Sequence, residues 1–105
     1  MKIEELFSVK DKVAVVTGGS RGIGEMIASA YLANGATVYI TSRKADVCDA
    51  KAIELSERYD AQCTSLPSDL SSLEGIEKFV KEVEAIESGI DILVNNAGAA
   101  WAEPI

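Results

Sequence analysis

The residues best suited to chemistry in this chain are small or basic and run consecutively: Thr17-Gly18-Gly19-Ser20-Arg21-Gly22-Ile23-Gly24. Glycine lets a backbone approach a bound group closely, and the unpaired N–H groups of a helix start favour an anion such as a pyrophosphate. Gly18, Gly22 and Gly24 are spaced G-x-x-x-G-x-G, which differs from the G-x-G-x-x-G of the common dinucleotide turn. A triphosphate-binding P-loop requires Lys and then Ser or Thr after its last glycine. Glu25 stands there instead, and its carboxylate would repel a triphosphate. The plain alternative is a glycine turn that binds nothing.

Three later segments carry groups that suit the same ligand. Ser42-Arg43 follows an apolar stretch at the point where an Asp or Glu would hold the ribose 2′-hydroxyl of NAD. Arg43 with Arg21 suits a 2′-phosphate, because guanidinium forks match phosphate oxygens, so NADP is expected over NAD. The competing account makes Arg43 a solvated loop residue and Arg21 a mere ornament of the helix start. Asp69 and Leu70 offer a carboxylate to an adenine amino group and an aliphatic chain to its ring; Asp69 is equally suited to starting the following helix. Asn95-Asn96-Ala97-Gly98 puts two amides at the mouth of a crevice, Asn95 being expected to tie neighbouring loops together. Ala97 and Gly98 are small enough for a ribose to lie against the backbone.

The elements that position these residues are legible as periodicities. Val13-Ala14-Val15-Val16 is an unbroken apolar run, expected of a parallel strand covered on both faces. Apolar residues at Ile23, Ile27, Ala30 and Tyr31 predict a helix from about Ile23 to Ala33, stopped by Asn34-Gly35. Thr37 to Thr41 is β-branched and aromatic, hence a second strand, with Tyr39 buried in it. Asp46 is the expected cap of a second helix reaching toward Tyr59. Gln62 to Leu66 reads as a polar edge strand ended by Pro67. Ser71 and Glu74 form a capping box for a third helix, whose apolar face is Leu73, Ile76, Val80, Val83 and Ile86. Ile90 to Val94 is the fourth strand. The order βαβαβαβ implies a doubly wound α/β sheet, strand order 3-2-1-4, three helices on its two faces, and a ligand crevice at the strands' carboxyl ends.

Length and charge narrow the function. A chain of 105 residues is read as a single domain, and its net charge of −7 argues against nucleic acid or an anionic membrane as partner. No apolar run is long enough to span a bilayer and Met1 to Glu5 leads into no signal region, so the expected compartment is the cytoplasm. Cys48 and Cys63 form no C-x-x-C pair and His is absent, which leaves zinc and disulfide-scaffold readings without support.

The glycine turn together with Asn95-Asn96-Ala97-Gly98 resembles the classical short-chain dehydrogenase/reductase family. Asp69-Leu70 matches that family's adenine motif and Ser42-Arg43 is similar to its NADP-preferring members. The segment Ala99 to Pro104 is similar to 3-oxoacyl-carrier-protein reductase-like enzymes. The resemblance implies a Rossmann-type fold and makes Gly18, Ser20, Arg21, Gly22, Ile23, Gly24, Ser42, Arg43, Asp69, Leu70, Asn96, Ala97 and Gly98 the candidate cofactor contacts. It also implies a carbonyl or alcohol substrate, hydride transfer and a homo-oligomeric complete enzyme. The family's catalytic Tyr-x-x-x-Lys is missing: Gly35, Arg43 and Cys63 stand four residues after Tyr31, Tyr39 and Tyr59. The expectation is the cofactor-binding first half of a reductase, truncated after its fourth strand and inactive by itself. The alternatives are a complete non-catalytic nucleotide-binding or regulatory module, or an interaction domain with no nucleotide site.

Overall fold

The computed structural model describes residues 8–96. The elements run β1 (Val13–Thr17), α1 (Gly22–Ala33), β2 (Thr37–Thr41), α2 (Ala45–Tyr59), β3 (Cys63–Ser65), α3 (Leu73–Ile86) and β4 (Ile92–Val94). All strand pairs are parallel and the sheet order is β3-β2-β1-β4, a Rossmann-type half sheet. β1 is therefore central, with Val15 opposite both Tyr39 and Leu93.

Alternation along β1 and β2 sorts the core into two layers. Ala14, Val16, Val38 and Ile40 face α1 and α2, where they pack with Ala28, Leu32, Cys48, Ala52 and Leu55. Val15 and Tyr39 face the other way, against Phe79 and Val83 of α3. The continuous apolar run of β1 is thus explained by helices on both sides.

Three boundaries and one helix face differ from the sequence expectation in ways that local contacts explain. The N-cap of α2 is Lys44, with Asp46 inside the first turn rather than at the cap. Ser72, not Ser71, caps α3: its hydroxyl accepts the Gly75 N–H at 3.0 Å, so the expected Ser71–Glu74 box is not formed. β4 starts at Ile92 rather than Ile90, because Asp91 is used as a clasp. Its N–H donates to Val13 O at 2.9 Å and its carboxylate accepts the Val13 N–H at 2.8 Å. The apolar face of α3 is split into two columns. Phe79 and Val83 are buried, whereas Leu73, Ile76, Val80 and Ile86 are 70%, 43%, 45% and 53% exposed. The correct residue, Phe79, lies one position from the expected Val80, a rotation of about 100°.

At Cys63 the outer edge of β3 is capped by a side chain. Ser56 of α2 accepts the Cys63 N–H at 3.1 Å and donates to the Cys63 carbonyl at 3.0 Å. Beside it, Ser65 donates to Asp49 at 2.6 Å. No described helix is long and apolar enough to cross a membrane.

Candidate functional site

The glycines of the β1–α1 turn are required for different reasons, two by a positive φ and two by close neighbours. Gly18 has φ +67°, a conformation that favours glycine, and its N–H donates to Thr41 O at 2.9 Å. A Cβ on Gly19 would lie 2.5 Å from Ile40 Cγ2, so the turn presses on β2. A Cβ on Gly24 would lie 2.0 Å from Gly18 O and 2.8 Å from Asn96 Nδ2. Gly22 has φ +60° and a Cβ there would meet nothing within 4 Å. The space above Gly22 is thus open.

Helix α1 begins without a cap. Arg21, the N-cap residue, has an extended backbone and makes no side-chain cap bond; the first helical bond, Glu25 N–H to Arg21 O, is long at 3.3 Å. The N–H groups of Gly22, Ile23 and Gly24 precede it and have no acceptor within the helix. Ser20 is buried and the Ile23 side chain is exposed. An anion above Gly22 would take the place of the missing cap.

The end of β4 and the two residues after it are held to this turn by Thr17, whose role was not apparent from sequence. Thr17 Oγ1 accepts the Asn96 N–H at 2.7 Å. Its proton is shared between Val94 O at 3.2 Å and Asn95 Oδ1 at 3.4 Å. Asn95 does tie the loops together, as expected. Asn96 lies against Gly24, whereas Ala97 and Gly98 fall outside the described residues, as does the segment Ala99 to Pro104.

Ser42-Arg43 and Asp69-Leu70 are brought side by side by the pairing of β2 with β3. The buried Ser68 donates its N–H to Ser42 O at 3.0 Å. Asp69 Oδ1 accepts both the N–H and the hydroxyl of Ser71, at 3.0 and 2.5 Å. These bonds, with a lesser contribution from the nearby Arg43 guanidinium, hold the Asp69 carboxyl below its ordinary range. Asp69 therefore does organise the entry to α3, and its Oδ2 makes no hydrogen bond among the described residues. The Leu70 side chain packs toward the Val15–Tyr39 layer. Gly75 is a further residue the sequence did not reveal: its Cβ would lie 1.7 Å from Asp69 O, so the Asp69 loop lies directly on α3.

The site's charge comes from the two arginines. Arg21 and Arg43 are exposed, and among the described residues neither makes a hydrogen bond or an ion pair. Thr41 adds a buried hydroxyl at the end of β2 that has no hydrogen-bond partner among the described residues. A groove of about 470 Å³ lies elsewhere, between α2 and the edge of β3, lined by Ile53, Ser56 and Thr64 among others. It shares no residue with these loops. The uncapped helix start, the open space at Gly22 and the unpaired arginines fit a phosphorylated dinucleotide.

A half sheet in the order 3-2-1-4, with a glycine turn at its central strand, defines a Rossmann-type nucleotide-binding fold. The chain belongs to the short-chain dehydrogenase family, whose pattern, described as short chain dehydrogenase, its residues 12–105 match. It is similar to the rhamnolipids biosynthesis 3-oxoacyl-(acyl-carrier-protein) reductase of Pseudomonas aeruginosa, 45% identical over 95 residues covering 90% of this chain and 36% of that protein. It is also similar to the NAD-dependent glycerol dehydrogenase of Listeria innocua, 39% identical, covering 92% of this chain and 37% of that protein. The crystal structure of L-sorbose reductase from Gluconobacter frateurii, complexed with NADPH and L-sorbose, superposes with a TM-score of 0.86 at 36% identity, covering 93% of this chain and 37% of that one. The chain thus spans a little over a third of the length of these relatives.

Proposed function

We propose that this chain, residues 1–105, is the coenzyme-binding portion of an NADP-dependent oxidoreductase that reduces a carbonyl or oxidises an alcohol. The observation that carries the reading is the uncapped start of α1 beneath the open space at Gly22. The coenzyme supplies the hydride; the residues described here bind and orient it. The N–H groups of Gly22, Ile23 and Gly24 take the pyrophosphate, with Gly18 and Ser20 shaping the turn. Arg21 and Arg43 take the 2′-phosphate beside Ser42. Asp69 Oδ2 and Leu70 border the adenine, and Asn96, Ala97 and Gly98 support a ribose. The relatives include ones named for NAD and for NADPH, so the preference for NADP rests on this chain's own residues: two guanidiniums that make no hydrogen bond or ion pair among the described residues, and Ser42 where a carboxylate would hold a 2′-hydroxyl.

The chain carries no Tyr-x-x-x-Lys, so these residues alone are expected to bind coenzyme and to turn over no carbonyl. The complete enzyme is proposed to be a cytoplasmic homo-oligomer. The test is binding by the protein as its gene encodes it. Arg43→Asp should weaken NADPH on the order of a hundredfold, about 3 kcal/mol, and NADH by less than about threefold. Equal losses for the two would overturn the NADP assignment.

A further inference from the structure

Glu25 is an awkward residue for an anion site. It lies in the first turn of α1, immediately after Gly24. A carboxylate in a first turn already interacts favourably with the positive end of the helix, and so competes with any anion bound there. The structure shows how this carboxylate is held. Lys51 reaches across from α2 and places its Nζ 3.1 Å from Glu25 Oε1 and 2.6 Å from Glu54 Oε2. Glu54 has a second cation, Arg58, at 2.7 Å. Among the described residues Glu25 has no ion pair besides Lys51.

We propose that Lys51 is a positioning residue for the coenzyme pyrophosphate: by holding and neutralising Glu25 it keeps the first turn of α1 attractive to an anion. The inference rests on the coenzyme reading above. The pair is only partly exposed, at 20% and 27% of the side-chain surface, so it is less screened than a fully solvated one. The carboxylates of Glu54 and Glu25 raise the Lys51 ammonium above its ordinary range, which favours its charged form. Loss of Lys51 leaves Glu54 with Arg58 but leaves Glu25 bare. A bare unit charge close to a doubly charged pyrophosphate weakens its binding on the order of three- to tenfold at low salt.

The experiment is a double-mutant cycle on the protein as its gene encodes it. NADPH dissociation constants are read from coenzyme fluorescence at low and high salt, with melting temperature as the check on folding. Lys51→Met should weaken NADPH three- to tenfold, and high salt should erase most of that loss. Glu25→Gln should bind at least as tightly as the unaltered protein, and Lys51→Met with Glu25→Gln should return to the Glu25→Gln value. Lys51→Arg, which keeps the charge, should bind normally. Unchanged affinity in Lys51→Met overturns the proposal. So does a double variant as weak as Lys51→Met, since Lys51 would then act without Glu25. If the unaltered protein bound neither NADPH nor NADH, the coenzyme reading itself would fall, and this inference with it.

Discussion

Gly22 and Gly24 are two residues apart in one helical turn and are glycines for different reasons. At Gly22 the constraint is a positive φ with open space above it, which leaves room for a ligand. At Gly24 the constraint is internal, since a Cβ would lie 2.0 Å from the carbonyl oxygen of Gly18. Gly24→Val should therefore destabilise the fold by about 2 kcal/mol or more, not merely block binding. Urea unfolding checks this; a stable variant that had lost only its affinity would contradict it. Tyr39 supplies a pH-dependent case. Burial first, and then the hydrogen bond its hydroxyl donates to Glu87, raise its pKa from 10 to about 12. The folded state thus holds the proton more tightly than the unfolded chain, and the associated stability is complete below pH 10 and lost as pH rises toward 12. Across that window the unaltered protein should lose on the order of 2 kcal/mol more than Tyr39→Phe does in parallel unfolding titrations.

At the scale of elements, α3 shows what sequence can and cannot carry. Ser72 contributes the only side-chain cap among the three described helices, and Ser72→Ala should cost about 1 kcal/mol in unfolding free energy, with little change in coenzyme affinity. The helix was legible from its period, yet its cap was expected one residue early and its buried face one column away. The reason is physical. Ser71 and Ser72 are equally good caps, and the choice between them is made by Asp69, which takes the Ser71 hydroxyl for itself. Likewise Phe79 and Val80 are both apolar, and only the position of Tyr39 in the sheet decides which turns inward. The strand order and the four convergent loops were readable because β-branched runs and turn glycines are local signals. Thr17 and the Lys51–Glu25 pair were not, because their roles arise from contacts between residues distant in sequence, and Gly75 was not because its role depends on how the Asp69 loop folds back onto the helix.

Over the whole molecule, the two faces of the sheet are unequally covered. The α1–α2 side is sealed by Leu32, Cys48 and Leu55, all buried. On the α3 side Ile76 and Val80 are exposed, and Leu93 of β4 is 65% exposed. This is apolar surface with a strand edge beside it, and it should drive self-association when the 105-residue chain is prepared alone. Sedimentation velocity should show concentration-dependent assembly that Ile76→Lys with Val80→Glu reduces; a monomer at every concentration would refute the expectation. The opposite margin behaves differently. The Ser56 hydroxyl occupies both main-chain groups of Cys63, so a strand approaching there would find its donor and its acceptor already taken. A lone hydroxyl on a neighbouring helix thus does for Cys63 what a further strand would otherwise do.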